Sequence, residues 1–289
     1  MNTKSGDINS FKVPGSIRTF AHSINILRQI SGYYDDASGS HGYFRDSQGS
    51  FTTFDLPGGV DTFAYGLNDL GQITGSYNDP DDNSFGFITD LKGHQTIFQV
   101  PGSVGTEPSG IDNTGDVVGE YLTFDPTIGY RFHGFLRDPL GSFLTVDVPG
   151  ARNTYPSDIN TSGDIAGTFD VLVGTTRVRH GYIITSGQEP LIDRLITFDV
   201  PGSIMTSAFG IDDVGNVFGA YRTPDEITHG FIRSRSGAFS FIDVPGATLA
   251  VAKGGVSTPE PASWATIILG LALVGGAMRS QRTAATRHG

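Results

Sequence analysis

The tripeptide Val-Pro-Gly or Leu-Pro-Gly occurs six times, at Val13-Pro14-Gly15, Leu56-Pro57-Gly58, Val100-Pro101-Gly102, Val148-Pro149-Gly150, Val200-Pro201-Gly202 and Val244-Pro245-Gly246, with successive prolines 43, 44, 48, 52 and 44 residues apart. Recurrence at such a period marks a chain built from stacked copies of one supersecondary unit, none of which buries its apolar face alone. The intervals share an internal order as well. "YGLNDLGQITGSY" (Tyr65 to Tyr77) corresponds to "SGIDNTGDVVGEY" (Ser109 to Tyr121), "SDINTSGDIAGTF" (Ser157 to Phe169) and "FGIDDVGNVFGAY" (Phe209 to Tyr221). A His-Gly pair then follows at His41-Gly42, His133-Gly134, His180-Gly181 and His229-Gly230, with Phe85 replacing histidine in the second unit.

Each unit reads as four short strands, in the second copy Phe63 to Leu67, Gln72 to Tyr77, Ser84 to Thr89 and Gln95 to Val100. Asn68-Asp69-Leu70-Gly71 joins the first two: Asn starts the turn through its side chain and Gly takes the positive-φ place. Asp112 to Gly115, Asn160 to Gly163 and Asp212 to Gly215 repeat that turn. The connection around Asn78 to Asn83 is expected as an exposed loop, and Pro-Gly after the fourth strand ends pairing because proline has no N–H. Four antiparallel strands per unit predict an all-β chain, a five-bladed β-propeller over residues 16–246, with an open β-solenoid as the alternative. The first copy lacks the turn glycine at Asn25-Ile26-Leu27-Arg28, so its blade is expected to be the least regular.

"GDINSFKVPG" (Gly6 to Gly15) aligns with "GAFSFIDVPG" (Gly237 to Gly246), so residues 1–15 begin in the middle of a unit. Either they close the ring by pairing with the last blade, or they are the remnant of a blade whose beginning is missing. Met1 to Ile17 holds no apolar run of signal-peptide length, and an upstream reading frame encoding a signal peptide is expected.

After a linker over 247–258 the character of the chain changes. Ala262 to Met278 is an uncharged run of 17 residues, followed by Arg279, Arg282 and Arg287. Seventeen is about the shortest helix that spans a bilayer, and basic residues past its end favour a cytoplasmic C-terminus. The body before Pro259 carries all but one of the 30 acidic residues of a chain whose net charge is −11, and it has no basic cluster, which argues against a nucleic-acid partner. Without cysteine the chain has neither disulfides nor thiolate metal sites.

The repeat words resemble the HAF family of bacterial extracellular repeats over roughly residues 16–246, with Gly in place of the family's Ala after the histidine. Pro259-Glu260-Pro261, the apolar run and the basic cluster together resemble a PEP-CTERM sorting signal over residues 259–289. The resemblance implies an exported protein of a Gram-negative bacterium in an exopolysaccharide and biofilm setting. It implies that exosortase, a membrane-embedded transpeptidase, recognises Pro259-Glu260-Pro261, removes the transmembrane helix and delivers the body to the cell surface or beyond.

The turn residues Asn68, Asp69, Gly71, Asp112, Gly115, Asn160, Gly163, Asp212 and Gly215 are read as turn chemistry, because the oxygen count and spacing of a calcium loop are not met. The recurring histidines are read as packing or hydrogen-bonding groups rather than a metal ring. No cofactor motif and no catalytic motif occurs, so the expected role is non-enzymatic: a surface or matrix protein binding a glycan or a protein. The alternative is a glycan-cleaving enzyme, which needs a pair of acids that break the repeat; Glu107, Glu120 and Glu226 are the acids that do.

Overall fold

The computed structural model describes residues 10–187, 191–242, 251–256 and 266–270. Five four-stranded antiparallel units follow one another: β1(Arg18–Ile24) to β4(Phe51–Phe54) through β2(Ile30–Asp35) and β3(Ser40–Arg45); β5(Asp61–Leu67), β6(Ile73–Asn78), β7(Ser84–Thr89) and β8(Gln95–Phe98); β9(Gly105–Ile111), β10(Val117–Asp125), β11(Gly129–Arg137) and β12(Phe143–Thr145). The fourth unit is β13(Asn153–Ile159), β14(Ile165–Val173), β15(Thr176–Ile184) and β16(Leu195–Phe198), with a 3-10 turn at Leu191–Arg194. The fifth is β17(Met205–Ile211), β18(Val217–Arg222), β19(Thr228–Arg233) and β20(Phe239–Ile242). The first strands of successive blades lie side by side around a central channel, as in a β-propeller.

The core lies between blades rather than within them. Phe54 and Leu56, leaving the first blade, pack with Phe87, Leu67 and Ile73 of the second; Phe98 and Val100 pack with Phe135 and Ile111 of the third; Val200 and Phe198 pack with Phe231 and Ile211 of the fifth. The His-Gly glycine makes room for that ring: a Cβ on Gly42 would lie 2.6 Å from Phe54, and one on Gly181 2.6 Å from Phe198. Among the described residues every Pro-Gly crossover also carries the same bond, from the N–H of the Val or Leu before Pro to a threonine hydroxyl six residues on, as in Leu56 to Thr62 (3.2 Å) and Val100 to Thr106 (2.9 Å). The described N-terminal residues obey this rule. Phe11 packs on Tyr43 and Phe51, Val13 is buried, and its N–H donates to Thr19 Oγ1, so this segment covers the first blade as each fourth strand covers the next.

Three expectations differ from what is found. The first blade is as regular as the others, because Arg28 takes the left-handed place of the missing glycine (φ 59°). Val251–Val256, within the segment read as linker, is strand β21, and Thr266–Gly270, within the run read as a helix, is strand β22 paired with it. Their β-branched residues suit an extended backbone, and the pairing satisfies each other's amides. β21 packs against β17, β18 and β19 of the last blade and, with β22, against β1, so this hairpin stands between the fifth and first blades instead of the two blades meeting directly over those strands. Among the described residues no helix is long and apolar enough to cross a membrane. Pro259, Glu260, Pro261, Arg279, Arg282 and Arg287 lie outside the described residues.

Candidate functional site: the two ends of the channel

Strand direction gives the channel two ends, one carrying the turns between first and second strands, the other the Pro-Gly crossovers. At the turn end, Asn25, Asn68, Asp112, Asn160 and Asp212 each accept, through Oδ1, the backbone N–H groups two and four residues on, at 2.8–3.1 Å. Gly71, Gly115, Gly163 and Gly215 complete these turns at φ of 79°, 90°, 80° and 88°. The same residues also tie blade to blade. Asn25 Nδ2 donates to the carbonyl of Asn68, Asn68 Nδ2 to that of Asp112, and Asn160 Nδ2 to that of Asp212, while the N–H groups of Ile26, Asp69 and Thr161 donate to Asp69, Asn113 and Asp213. Asp112 has no side-chain amide to donate, and there Asn113 Nδ2 reaches Thr161 instead, at 3.3 Å. These turns line a cavity of about 100 Å³. Their carboxylates are engaged with amides, and among the described residues no three His, Cys, Asp or Glu side chains gather as metal ligands.

The histidines sit at the outer part of the crossover end. Nδ1 of His41, His133 and His180 donates to Asp55, Asp147 and Asp199 at 2.8, 2.7 and 2.9 Å, and the rings lie against Tyr34, Tyr121 and Phe169. Burial alone would lower the His41 pKa, but hydrogen bonds and charge from Asp55 and Asp36 outweigh it and raise it. The sequence reading left these aspartates unassigned. A signal was present: the unit with Phe85 for His also has Gln99 where the others have Asp before Val-Pro-Gly.

Nearer the axis the repeat breaks down. Every first strand carries a β-bulge, whose extra residue is His22, Tyr65, Ser109, Ser157 or Phe209, and all five line the channel. Two residues earlier on the same face stand Phe20, Phe63, Glu107, Tyr155 and Ser207; opposite them on the second strands stand Tyr33, Ser76, Glu120, Thr168 and Ala220. The first two blades supply an aromatic arc, with Phe20 stacked on Tyr33 (4.7 Å) and Tyr33 edge-on to Phe63 (5.1 Å) and Tyr65 (6.2 Å). The next two supply a charged arc. Glu107 pairs directly with Glu120 across β9 and β10, and the fully buried Asp170 is held by Arg179 at 3.1 Å and by the Tyr155 hydroxyl at 3.1 Å.

Burial, reinforced by Glu107, pushes the Glu120 carboxyl well above the usual range despite the opposing charge of Arg179. Burial raises the Tyr65 hydroxyl too, with Glu107 adding to it. Glu226, the third repeat-breaking acid, is not part of this group: it lies in an exposed hairpin loop at φ 67° and pairs with Arg222 at 2.8 Å. What sequence alone could not give is the meeting of Glu107 and Glu120, which depends on the bulge register of β9.

No family model and no curated protein matches the chain. Among solved structures it is similar to TolB from Acinetobacter baumannii (TM-score 0.53, 13% identity, covering 74% of this chain and 52% of that one). It is also similar to virginiamycin B lyase from Staphylococcus aureus (0.48, 12%, 81% and 73%) and to the β-propeller domain of the Trilobed protease from Pyrococcus furiosus (0.46, 9%, 84% and 88%). At such identities the likeness is one of fold alone; the β-propeller arrangement is carried by the four-stranded units set around the channel.

Proposed function

We propose that this chain is an exported, non-enzymatic surface or matrix propeller that binds a glycan at the crossover end of its channel. One observation carries the binding reading: toward this end Phe20, Phe63, Glu107, Tyr155 and Ser207 stand opposite Tyr33, Ser76, Glu120, Thr168 and Ala220, so the chemistry changes from blade to blade while the turns and crossovers stay fixed. Propeller scaffolds serve many chemistries, so departures from the repeat are where function is to be sought. Aromatic faces in one arc and carboxylates in the next suit a ligand with apolar C–H faces and many hydroxyls. The order of Pro259-Glu260-Pro261, apolar run and arginines supports export and exosortase processing.

The glycan-cleaving reading rests on one feature, the facing Glu107 and Glu120 with the latter's raised pKa, which is how a general acid is prepared. Titrating the full chain with a panel of polysaccharides while assaying released reducing ends separates the two. Binding without new reducing ends, weakened about tenfold or more by Tyr33→Ala, is the expected result. Release of reducing ends that Glu120→Gln abolishes would establish the enzyme instead. Mass spectrometry of protein recovered outside the native cell tests the address: processing predicts a chain ending close to Pro259, and an intact chain ending at Gly289 in cytoplasmic fractions would overturn export.

A further inference from the structure

In every blade the hairpin joining the second and third strands points to the crossover end, and the five hairpins are not alike. In three blades it is short and acidic. Strands β2, β3, β6, β7, β18 and β19 have six residues each. Their loops carry Asp36 in the first blade, Asp79, Asp81 and Asp82 in the second, and Asp225 and Glu226 in the fifth. In the third and fourth blades β10, β11, β14 and β15 have nine residues each. The added length lies at the crossover end: one residue of β3 precedes His41, whereas four of β11 precede His133 and four of β15 precede His180. At a rise of about 3.3 Å per residue, these two hairpins stand about 10 Å beyond the other three.

The added length is apolar at its crest and basic beneath it. Phe124, Ile128 and Tyr130 crown one hairpin, Leu172 and Val173 the other, each 48–64% exposed. Phe124 and Tyr130 pair across their hairpin, with ring centroids 5.0 Å apart. Below the crests lie Arg131, Arg152, Arg177 and Arg179. Arg131 gives its donors to the carbonyls of Ala151 and Arg152, and Arg177 and Arg179 share one carboxylate, that of Asp170, at 3.6 and 3.1 Å. With Asp125 on the third-blade loop, four arginines against two aspartates leave a net charge of +2 on a body that is otherwise acidic. The next acids, Asp147 and Asp199, lie lower, where His133 and His180 hold them, and Glu107 and Glu120 lie lower still.

We propose that these two hairpins dock the crossover end on a lipid surface carrying anionic headgroups, the apolar crests entering it and the arginine collar meeting the headgroups. Aliphatic side chains gain by leaving water for the acyl boundary, while tyrosine and arginine are at home at headgroup level. Charge complementarity selects the headgroup. The arginines attract anionic lipid, and the three acidic loops stand back by about 10 Å, roughly a Debye length at 0.1 M salt, where their repulsion is screened. Two convex crests on separate blades suit a flat surface, whereas a peptide is taken up by a groove or a free sheet edge. The inference goes beyond the glycan reading and does not depend on it, because the step between tall and short hairpins leaves the channel mouth open beneath the surface.

The test must separate the hairpins from the apolar run at Ala262 to Met278, which is a second way to hold the chain on lipid. The chain has no cysteine, so a polarity-sensitive fluorophore can be placed singly on the full chain at Val173→Cys, at Ile128→Cys, or at Leu70→Cys on the opposite end, where the leucine is 70% exposed. Each is titrated with vesicles of phosphatidylcholine alone, with vesicles that also contain phosphatidylglycerol, and with alginate as a lipid-free polyanion. Both crest probes should shift to the blue and be quenched by spin-labelled lipid, with the anionic vesicles bound at least about tenfold tighter than the neutral ones, while the Leu70 probe stays unchanged. Arg177→Glu should weaken that binding about tenfold or more, and Phe124→Ser severalfold, both at exposed positions where the unfolding temperature is expected to hold. Silent crest probes, an equal shift at Leu70, or equal binding of both vesicle types would overturn the proposal. A response of the crest probes to alginate and not to vesicles overturns it as well, and assigns the hairpins to a polysaccharide.

Discussion

The two ends of the channel are built from the same strands and obey opposite rules. At the turn end, five copies of one Asx-turn repeat with the same acceptor geometry, and the asparagines that cap three of them also donate to the next blade. At the crossover end, equivalent positions hold Phe20, Phe63, Glu107, Tyr155 and Ser207, and a buried serine hydroxyl is left over. Repetition is economical for a scaffold, because each junction solves the same packing problem. A binding surface needs asymmetry, and the paired positions of the first and second strands supply it, Phe20 facing Tyr33 in the first blade and Glu107 facing Glu120 in the third. The difference teaches that in a chain of repeats the informative residues are those that break the word without breaking the fold.

If the turn end is the scaffold, damage there should cost the most. Asn68 is buried and supplies two turn acceptors and one donor to the neighbouring blade. Asn68→Ala should therefore destabilise the chain by about 2–3 kcal/mol, the sum expected for a lost cap and an orphaned carbonyl. Thermal and urea unfolding measure this. At the crossover end, Ser76→Ala removes one buried hydrogen bond, to the Tyr65 hydroxyl, and should cost about 0.5–1.5 kcal/mol, less than the loss at Asn68. Equal losses at both positions would erase the distinction.

The sequence made much of this scaffold legible. The strands read in the second unit, Phe63 to Leu67, Gln72 to Tyr77, Ser84 to Thr89 and Gln95 to Val100, are found within two residues at every end. The turn Asn68 to Gly71 was readable because asparagine and glycine each do one local job there. The blade-to-blade links were not, since Asn113 meeting Asp69 and Thr161 requires turns 44 and 48 residues apart to be brought side by side. The pairing of His41 with Asp55 was hidden for the same reason, although the joint loss of both partners in the second unit hinted at it. The hairpin of β21 and β22 was invisible because neither strand carries a repeat word. An apolar run such as Thr266–Gly270 reads as helix or strand alike until its partner is known.

Acidity separates the molecule again. The aspartates of the outer turns, Asp46, Asp90 and Asp138, are held below the ordinary carboxylate range, for Asp46 and Asp138 chiefly by backbone N–H groups and for Asp90 chiefly by the His94 side chain. Their contribution is present above the unfolded pKa and lost as pH falls through the folded one. Asp158 behaves in the opposite way. It stands on the bulged strand where the second, third and fifth units have glycine, its oxygens accept the N–H groups of Ile159 and Ile211, and burial raises its pKa to about 7. A folded pKa above the unfolded value means stability fully present below about pH 4 and lost as pH rises through about 7. Asp158→Asn should flatten the decline in unfolding free energy between pH 5 and 8, a change on the order of 1–2 kcal/mol. A wild-type chain whose stability is level across that window would contradict this account.

The smallest effect probes the one turn that departs from its word. Arg28 stands where the other turns have glycine and holds φ at 59°, yet the bonds of its turn are the same: Asn25 still accepts from Leu27 and Gln29. An L-residue there costs about 1–2 kcal/mol relative to an unstrained backbone, and glycine relieves that while losing more freedom on folding. The balance favours Arg28→Gly by about 0.5–1 kcal/mol, provided that the exposed arginine side chain contributes little. Unfolding of the variant beside Gly71→Ala makes the comparison symmetrical, one substitution restoring the word and the other spoiling it. Opposite shifts are expected. If Arg28→Gly destabilised the chain, the irregular first turn would owe its stability to the arginine itself rather than to a geometry that tolerates it.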